Sequence, residues 1–284
     1  MRSASARRRC VAISSSSSAS LRTRDAGRSQ GSFMPPLASP CRQSTPLRTV
    51  NRPLSAGCVE CSDGRRPAMK IGILGSGLMG GKLGTLFARV GHEVVFSYAH
   101  DMEKLKRLAQ KAGKLARAGT PGEAALEAEA LLLAVHWSRV PDVLRKAGDL
   151  SRRVLITCSL PMSRDDTRLV VAHTRSGAEA LARKVPKAKV VSAFGSVPSE
   201  VLFGVFAARR KARRPSLVYC GDDARGKRVA ARLIRDVGFD PVDAGPLSNA
   251  RYTEPFTLLM AQLAYEGSRG PGIAYRFERY RSRA

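Results

Sequence analysis

The sequence predicts an α/β fold, a doubly wound, mainly parallel sheet with a small C-terminal α/β lobe. Three observations predict it. From Met69 onward, short apolar runs alternate with amphipathic stretches of helical length, the pattern of repeated βαβ units. The first apolar run, residues 71–74, leads into Gly75, Gly77 and Gly80 and then into a helical stretch. No apolar run approaches the roughly 20 residues that span a bilayer, so a soluble chain with no membrane partner is expected.

Strands are expected over 71–74, 93–97, 131–135, 154–158, 189–193, 217–220 and 239–242. Helices are expected between them. The first covers 78–90 and stops at Gly91, a residue suited to a left-handed cap. The second covers about 102–112, between Asp101 and Gly113. The third opens on "TPGE", with Thr120 as N-cap, Pro121 in the first helical position and Glu123 completing a capping box. Further helices fit 139–147, 178–185, 199–208 and 224–237, and an amphipathic helix of about 250–266 precedes a short coda. Residues 69–195 are expected to form the nucleotide-binding domain. Residues 196–284 are expected to form a smaller lobe whose long helix completes a cleft and offers a surface for a homodimer.

Residues 1–68 read differently. They hold twelve arginines against three acids, a net of +9, which leaves +17 of the total +26 for the remainder. They are rich in Ser and poor in hydrophobic periodicity, so disorder is expected. One reading is an organellar transit peptide. The favoured one is a dispensable extension, with Met69 as the natural start and a cytoplasmic location. Cys10, Cys41, Cys58 and Cys61 lie here, and Cys158 and Cys220 end strand-like runs. The lone C-x-x-C pair of Cys58 and Cys61 is too little for zinc, and no metal site is expected. Nucleic acid is not expected either, because aromatic residues are only 6% and are not interleaved with the basic runs.

Gly75, Gly77 and Gly80 form G-x-G-x-x-G between a strand and a helix, the Rossmann-type signature of dinucleotide binding. Gly75 permits the tight turn, Gly77 lets backbone approach a pyrophosphate, and Gly80 lets helix and strand pack closely. The second strand selects the dinucleotide. An NAD site usually ends that strand with an acid for the ribose hydroxyls. Here Ser97, Tyr98, Ala99 and His100 come first, and Asp101 is the first acid. NADP(H) is therefore expected, with Ser76, His100 and Lys104 around the 2′-phosphate.

The catalytic group is harder to find. His92 follows a helix-ending glycine and is expected to be exposed. His100 belongs to the cofactor, and His173 falls in a polar loop. His136 follows "LLLAV" at a strand end, which makes it the one weak candidate for catalysis, with a cleft-wall role favoured. No Ser–Lys or Tyr–Lys pair has dehydrogenase spacing. Hydride transfer between two stacked ring cofactors can proceed without a side-chain acid, provided that the rings are held about 3–3.5 Å apart and water is excluded.

The stretches "KIGILGSGLMGGKLGTLFARVGHEVVFSY", "LLLAVHW", "VVSAFGSVPSEVL", "CGDD" and "DVGFDPVDAGPLSNARYTEPFTLLMAQLAY" resemble the NADPH-dependent reductases of coenzyme F420, a deazaflavin. The likeness runs over residues 69–277, and 243–251 is its most specific part. It implies hydride transfer between NADPH and coenzyme F420, ring to ring, with no dedicated catalytic residue. By that resemblance Ser76, Gly77, Leu78 and Met79 wrap the cofactor's phosphates, with Gly75 and Gly80 shaping the turn. Lys104 is a companion to the 2′-phosphate clamp, and His100 stands where the family usually has Arg. Val135, Leu160 and Met162 match residues lining the nicotinamide, and Pro271 and Gly272 match a segment touching the deazaflavin. Gly195 stands where relatives often carry His or Asn. The deazaflavin's anionic groups offer a use for the basic surface, including the run 209–214. The alternatives are an NADP-dependent reductase of a small imine or keto substrate, which shares the opening turn, and a non-catalytic NADP-binding module.

Overall fold

The computed structural model describes residues 67–99 and 101–280. Expectations placed on 1–66, including four of the cysteines, and on His100 lie outside the described residues. The elements run β1 (Lys70–Leu74), α1 (Leu78–Arg89), β2 (Glu93–Ser97), α2 (Met102–Ala112), β3 (Ala116–Ala118), α3 (Pro121–Glu127), β4 (Ala130–Leu133), α4 (Val140–Ala147), β5 (Val154–Thr157), α5 (Gly177–Lys184), β6 (Lys189–Ser192), α6 (Leu202–Ala207), β7 (Ser216–Gly221), α7 (Ala224–Asp236), β8 (Asp240–Asp243) and α8 (Ala250–Tyr265).

The eight strands make one sheet in the order β3-β2-β1-β4-β5-β6-β7-β8. All pairings from β3 across to β6 are parallel, β7 is antiparallel to β6, and β8 is parallel to β7. Leu131 and Leu133 of β4 point into one apolar layer with α3, α4 and α5, while Leu132 points into the other with α1, α2 and α7. Burial of the central strands on both faces explains their unbroken apolar runs. The strands of the expected C-terminal lobe, β7 and β8, extend this same sheet.

Most elements fall where the local signals put them. Thr120 and Glu123 form the expected box: Glu123 N–H donates to Thr120 Oγ1 at 3.2 Å, and Thr120 N–H donates to Glu123 Oε2 at 2.6 Å. The expected helices at 139–147 and 199–208 are each split. A 3-10 turn at Trp137–Arg139 leads into α4, and another at Ser199–Val201 leads into the shorter α6. The edge strand β3 was not anticipated. Its three residues, Ala-Arg-Ala, carry little strand preference, and it exists because β2 presents a ladder to pair with. Among the described residues no helix is long and apolar enough to cross a membrane.

One expectation about a histidine is overturned. His92 is 2% exposed. Its Nδ1 accepts the Met69 N–H at 3.1 Å, and its Nε2 lies 3.1 Å from Asp236 Oδ2. Asp236 comes from the end of α7, 144 residues further on. Packing of that helix over the start of β2 buries the ring, and nothing near His92 in sequence announces it.

The last helix is tied to α5 by two charged side chains. Glu254, 4% exposed, accepts the Gly177 and Ala178 N–H groups at 2.8 and 2.9 Å. These are unpaired donors of the first turn of α5. One turn earlier on α8, Arg251 grips Glu179, with Nε 2.9 Å from Oε2 and Nη2 2.6 Å from Oε1. Burial pushes the Glu254 carboxyl up to about 7, against the pull of its two backbone donors. A carboxyl raised in the folded state contributes stability that is full below its unfolded value and is lost as pH climbs through the folded one. Thermal unfolding should therefore show melting temperature falling between about pH 4.5 and about pH 7. Glu254→Gln should flatten that slope and lower stability by about 1–3 kcal/mol, because an amide NH2 then faces a backbone donor.

Candidate active site

The site is built at the carboxyl end of β1. Gly75 has φ of 111°, a left-handed conformation that favours glycine. A Cβ there would lie 2.4 Å from the Ala134 carbonyl oxygen on the neighbouring strand's exit. Gly80 packs tighter still: a Cβ would lie 1.9 Å from the Gly75 carbonyl oxygen, so α1 can start only if position 80 has none. Gly77 is the N-cap of α1, has no side chain to cap the helix and faces open space. The free N–H groups of a twelve-residue helix therefore point out of the turn, as phosphate binding requires.

Ser76 is 3% exposed, and its hydroxyl donates to the Ser97 carbonyl at 2.9 Å. Its proton is thus committed to the end of β2 rather than to a phosphate. Tyr98, with φ of 59°, turns outward from β2 and donates its hydroxyl to Asp142 Oδ2 at 2.8 Å. Asp142 is held down to about 2 by Lys146 and then by Tyr98. A tyrosine already engaged by α4 therefore occupies the strand end where an NAD site usually has its acid. Its pairing with Asp142 is a tertiary contact that sequence reading did not find. Lys104 lines a cavity beside this turn together with Ser76, Gly77 and Leu78, and Lys82 and Arg107 join it there.

A groove of about 500 Å3 opens on the other side of the turn. Leu78, Met79, Cys158, Leu160 and Met162 form one wall, and Thr257, Met260 and Ala261 of α8 face them. Residues 195–199 make the floor. Of the expected nicotinamide-side residues, Leu160 and Met162 line this groove, whereas Val135 packs against the Gly75 turn. Pro271 and Gly272 are not among the lining residues. The coda reaches the groove through Tyr275, whose Oη lies 2.6 Å from Ser196 Oγ and accepts the Val218 N–H at 3.0 Å. At Gly195 a Cβ would meet only ordinary contacts, with Thr257 at 3.5 Å and the Cys158 carbonyl oxygen at 3.6 Å, so a side chain would narrow the groove without straining the backbone.

The groove is poor in groups that could move a proton. Its lining holds no His, Lys or Arg, and its ionisable carboxylates are Asp166 and Glu266. The protein around Cys158 pushes its thiol up to about 12, so it is no thiolate. Tyr265 is also pushed up to about 12, by burial and by donating to Glu200 Oε2 at 2.9 Å. His136 sits at the exit of β4, outside the lining. Its Nδ1 accepts the Ser138 N–H at 3.2 Å, which leaves the proton on Nε2, 3.1 Å from Asp166 Oδ1. The ring thus links the loops after β4 and β5 across the mouth of the groove.

Comparison with known proteins places this architecture. Residues 70–161 match the model of a family described as NADP oxidoreductase, coenzyme F420-dependent. Metalloreductase STEAP3 of Rattus norvegicus is 29% identical over 214 residues, covering 74% of this chain. The chain spans 41% of the length of that relative. A structure from Arthrobacter sp. FB24, provisionally assigned as an F420-dependent NADP reductase, superposes with a TM-score of 0.66 at 24% identity over 75% of this chain and 100% of that one. An imine reductase from Aspergillus terreus superposes with a TM-score of 0.52 at 16% identity, covering 69% of this chain and 62% of that one. At such identities the structural likenesses establish the fold.

The glycine turn separates folding from binding. Gly77→Ala should leave the melting temperature within about 1 °C, since its Cβ meets nothing. NADPH affinity, read by fluorescence titration, should nevertheless fall at least about tenfold, roughly 1.4 kcal/mol. Gly80→Ala should destabilise the chain itself by about 1–3 kcal/mol.

Proposed function

We propose that this protein transfers a hydride between NADPH and the deazaflavin coenzyme F420. The observation that carries the reading is the groove of about 500 Å3, which adjoins the phosphate turn at Leu78 and Met79 and has no basic side chain in its lining. The family match of residues 70–161 supports it. NADPH supplies the hydride and the deazaflavin ring receives it.

The chain's own residues have limited tasks. The turn and the open N-terminus of α1 hold the pyrophosphate. Lys104, exposed on the first turn of α2, supplies a positive charge for the 2′-phosphate. Leu160 and Met162 present an apolar wall to a flat ring, and Met260 and Ala261 close it from α8. Exclusion of water from that slot protects the hydride and shortens the distance between rings. Reduction of an imine or a keto group would instead call for a proton donor at the reacting atom. The nearest imidazole, His136, is bound to Asp166 at the groove mouth.

The test is spectroscopic. Purified protein with NADPH should bleach the visible absorbance of the deazaflavin and bring both couples to a common equilibrium. Turnover of a cyclic imine or a keto acid with no effect on the deazaflavin would refute this reading. NADPH should be preferred over NADH, and Lys104→Gln should narrow that preference by about tenfold, the loss of one charge-assisted contact worth roughly 1.4 kcal/mol.

A further inference from the structure

Behind the groove of about 500 Å3 lies a small polar pocket that the reaction as described does not use. Its volume is about 20 Å3. One water needs about 10–15 Å3 and two to four polar partners. Partners are at hand: Thr157, Ser159, Ser192, Ser196 and Thr253 line the pocket, and so does Glu254. Cys158, Gly195, Ser196 and Thr257 line both the pocket and the groove. At Gly195 the partition between them has no side chain. A Cβ there would lie 3.6 Å from both Thr257 Oγ1 and the Cys158 carbonyl oxygen, filling space between α8 and the exit of β5.

Of the carboxyl groups that line either space, Glu254 is the buried one; Asp166 and Glu266 of the groove are exposed to bulk water. Each Glu254 oxygen accepts one backbone N–H of α5, which leaves it a second lone pair. The side chain can therefore take up or release a proton while its anchors hold. Burial places the carboxyl at about 7, so it does both near neutral pH. Two other titratable groups act on it or feel it. The Glu179 carboxylate of α5 raises it further and is itself gripped by Arg251. The Cys220 thiol of β7 is pushed up to about 11 by burial and stays neutral.

We propose that Glu254 stores the proton that must follow the hydride and passes it into the groove through a water and the hydroxyls of this pocket. The proposal rests on the two-ring reading above for the identity of the acceptor. Hydride transfer breaks a C–H bond of NADPH and forms a C–H bond on the deazaflavin with the same electron pair, so the first is oxidised and the second reduced. The reduced ring becomes neutral only on taking one proton at a nitrogen. Glu254 gives up its O–H proton to the pocket water, which hands on one of its own. The carboxylate left behind faces the Gly177 and Ala178 N–H groups, a helix N-terminus that favours negative charge. Exclusion of bulk water from the slot does not cut off a donor that lies behind it. Between turnovers the open groove returns a proton by the same path.

Infrared difference spectroscopy of the full chain, with neither cofactor added, tests the store and the path. Between about pH 6 and about pH 8, one unit either side of its value, wild type should lose the band of a neutral buried carboxyl, and Glu254→Gln should lack that band. On rapid mixing into heavy water, deuterium should replace this proton more slowly in Gly195→Ala, which leaves the bonds of Glu254 intact and reports on the path even if the Gln variant does not fold. Turnover tests the use. With NADPH and the deazaflavin, the wild-type rate should fall as pH rises through about 7, because the donor must carry its proton. Glu254→Gln should lose that inflection and, below it, run at least about tenfold slower than wild type. Arg251→Gln loosens the same helix but should keep the inflection, displaced upward by the unpaired Glu179. A carboxyl that does not titrate in this range, equal deuterium exchange in Gly195→Ala and wild type, or an inflection that survives Glu254→Gln overturns the proposal. Wild type in which Glu254 titrates and exchanges as described, but which does not oxidise NADPH with the deazaflavin, refutes the two-ring reading and leaves the proton path assigned.

Discussion

The close approach of Gly80 to the Gly75 carbonyl is the constraint on which the rest of this structure depends. It lets α1 begin directly against the end of β1. The unpaired N–H groups of that helix then face the cleft, and Leu78 and Met79 project beside them. Any side chain at position 80 would push the helix off the strand and move three things at once: the free N–H groups of α1, the groove wall formed by Leu78 and Met79, and the ridge between the two cavities. Binding and positioning therefore share a single backbone contact.

The opposite wall is assembled from the far end of the chain. The antiparallel pairing of β7 with β6 sends the chain back across the sheet. From there α8 can reach α5, where Glu254 meets the free N–H groups of Gly177 and Ala178 and Arg251 meets Glu179. A carboxylate against a helix N-terminus is favoured by both hydrogen bonding and the local dipole, while burial works against its charge. The Tyr275 hydroxyl bridges Ser196 and the backbone of β7. These contacts tie α8 to α5 and the groove floor to β7, so the wall facing Leu160 and Met162 is built from tethered elements.

Charge divides the surface into two chemical zones separated by Leu78. On one side the lining is apolar or hydroxylic, with two carboxylates at its margin. On the other it is cationic along two helices. Hydride transfer favours the first environment, because a dry slot keeps water from the reacting atoms. Recognition of an anion favours the second, which raises the local concentration of such a ligand by long-range attraction. The positive charge of this chain is thus unevenly distributed over these two cavities.

What the sequence by itself determined is local. The order of strands and helices, the Thr120 box, the Gly91 stop and the Gly75–Gly80 turn are each encoded within a few residues, so periodicity and capping reveal them. The lack of an acid through Tyr98 was legible for the same reason. The tertiary structure decided everything that joins distant residues. It buried His92 against Asp236, gave Tyr98 to Asp142, brought Leu160 and Met260 to one groove, bonded Tyr275 to Ser196 of the groove lining, and lined Lys82, Arg89 and Lys111 along one channel. Each of these contacts joins different elements, Lys111 of α2 meeting Lys82 and Arg89 of α1 in the last case, and β3 itself exists only because β2 offers it a ladder. A short-range pattern specifies which face of a helix is apolar or charged; which partner meets that face depends on how the whole sheet is wound.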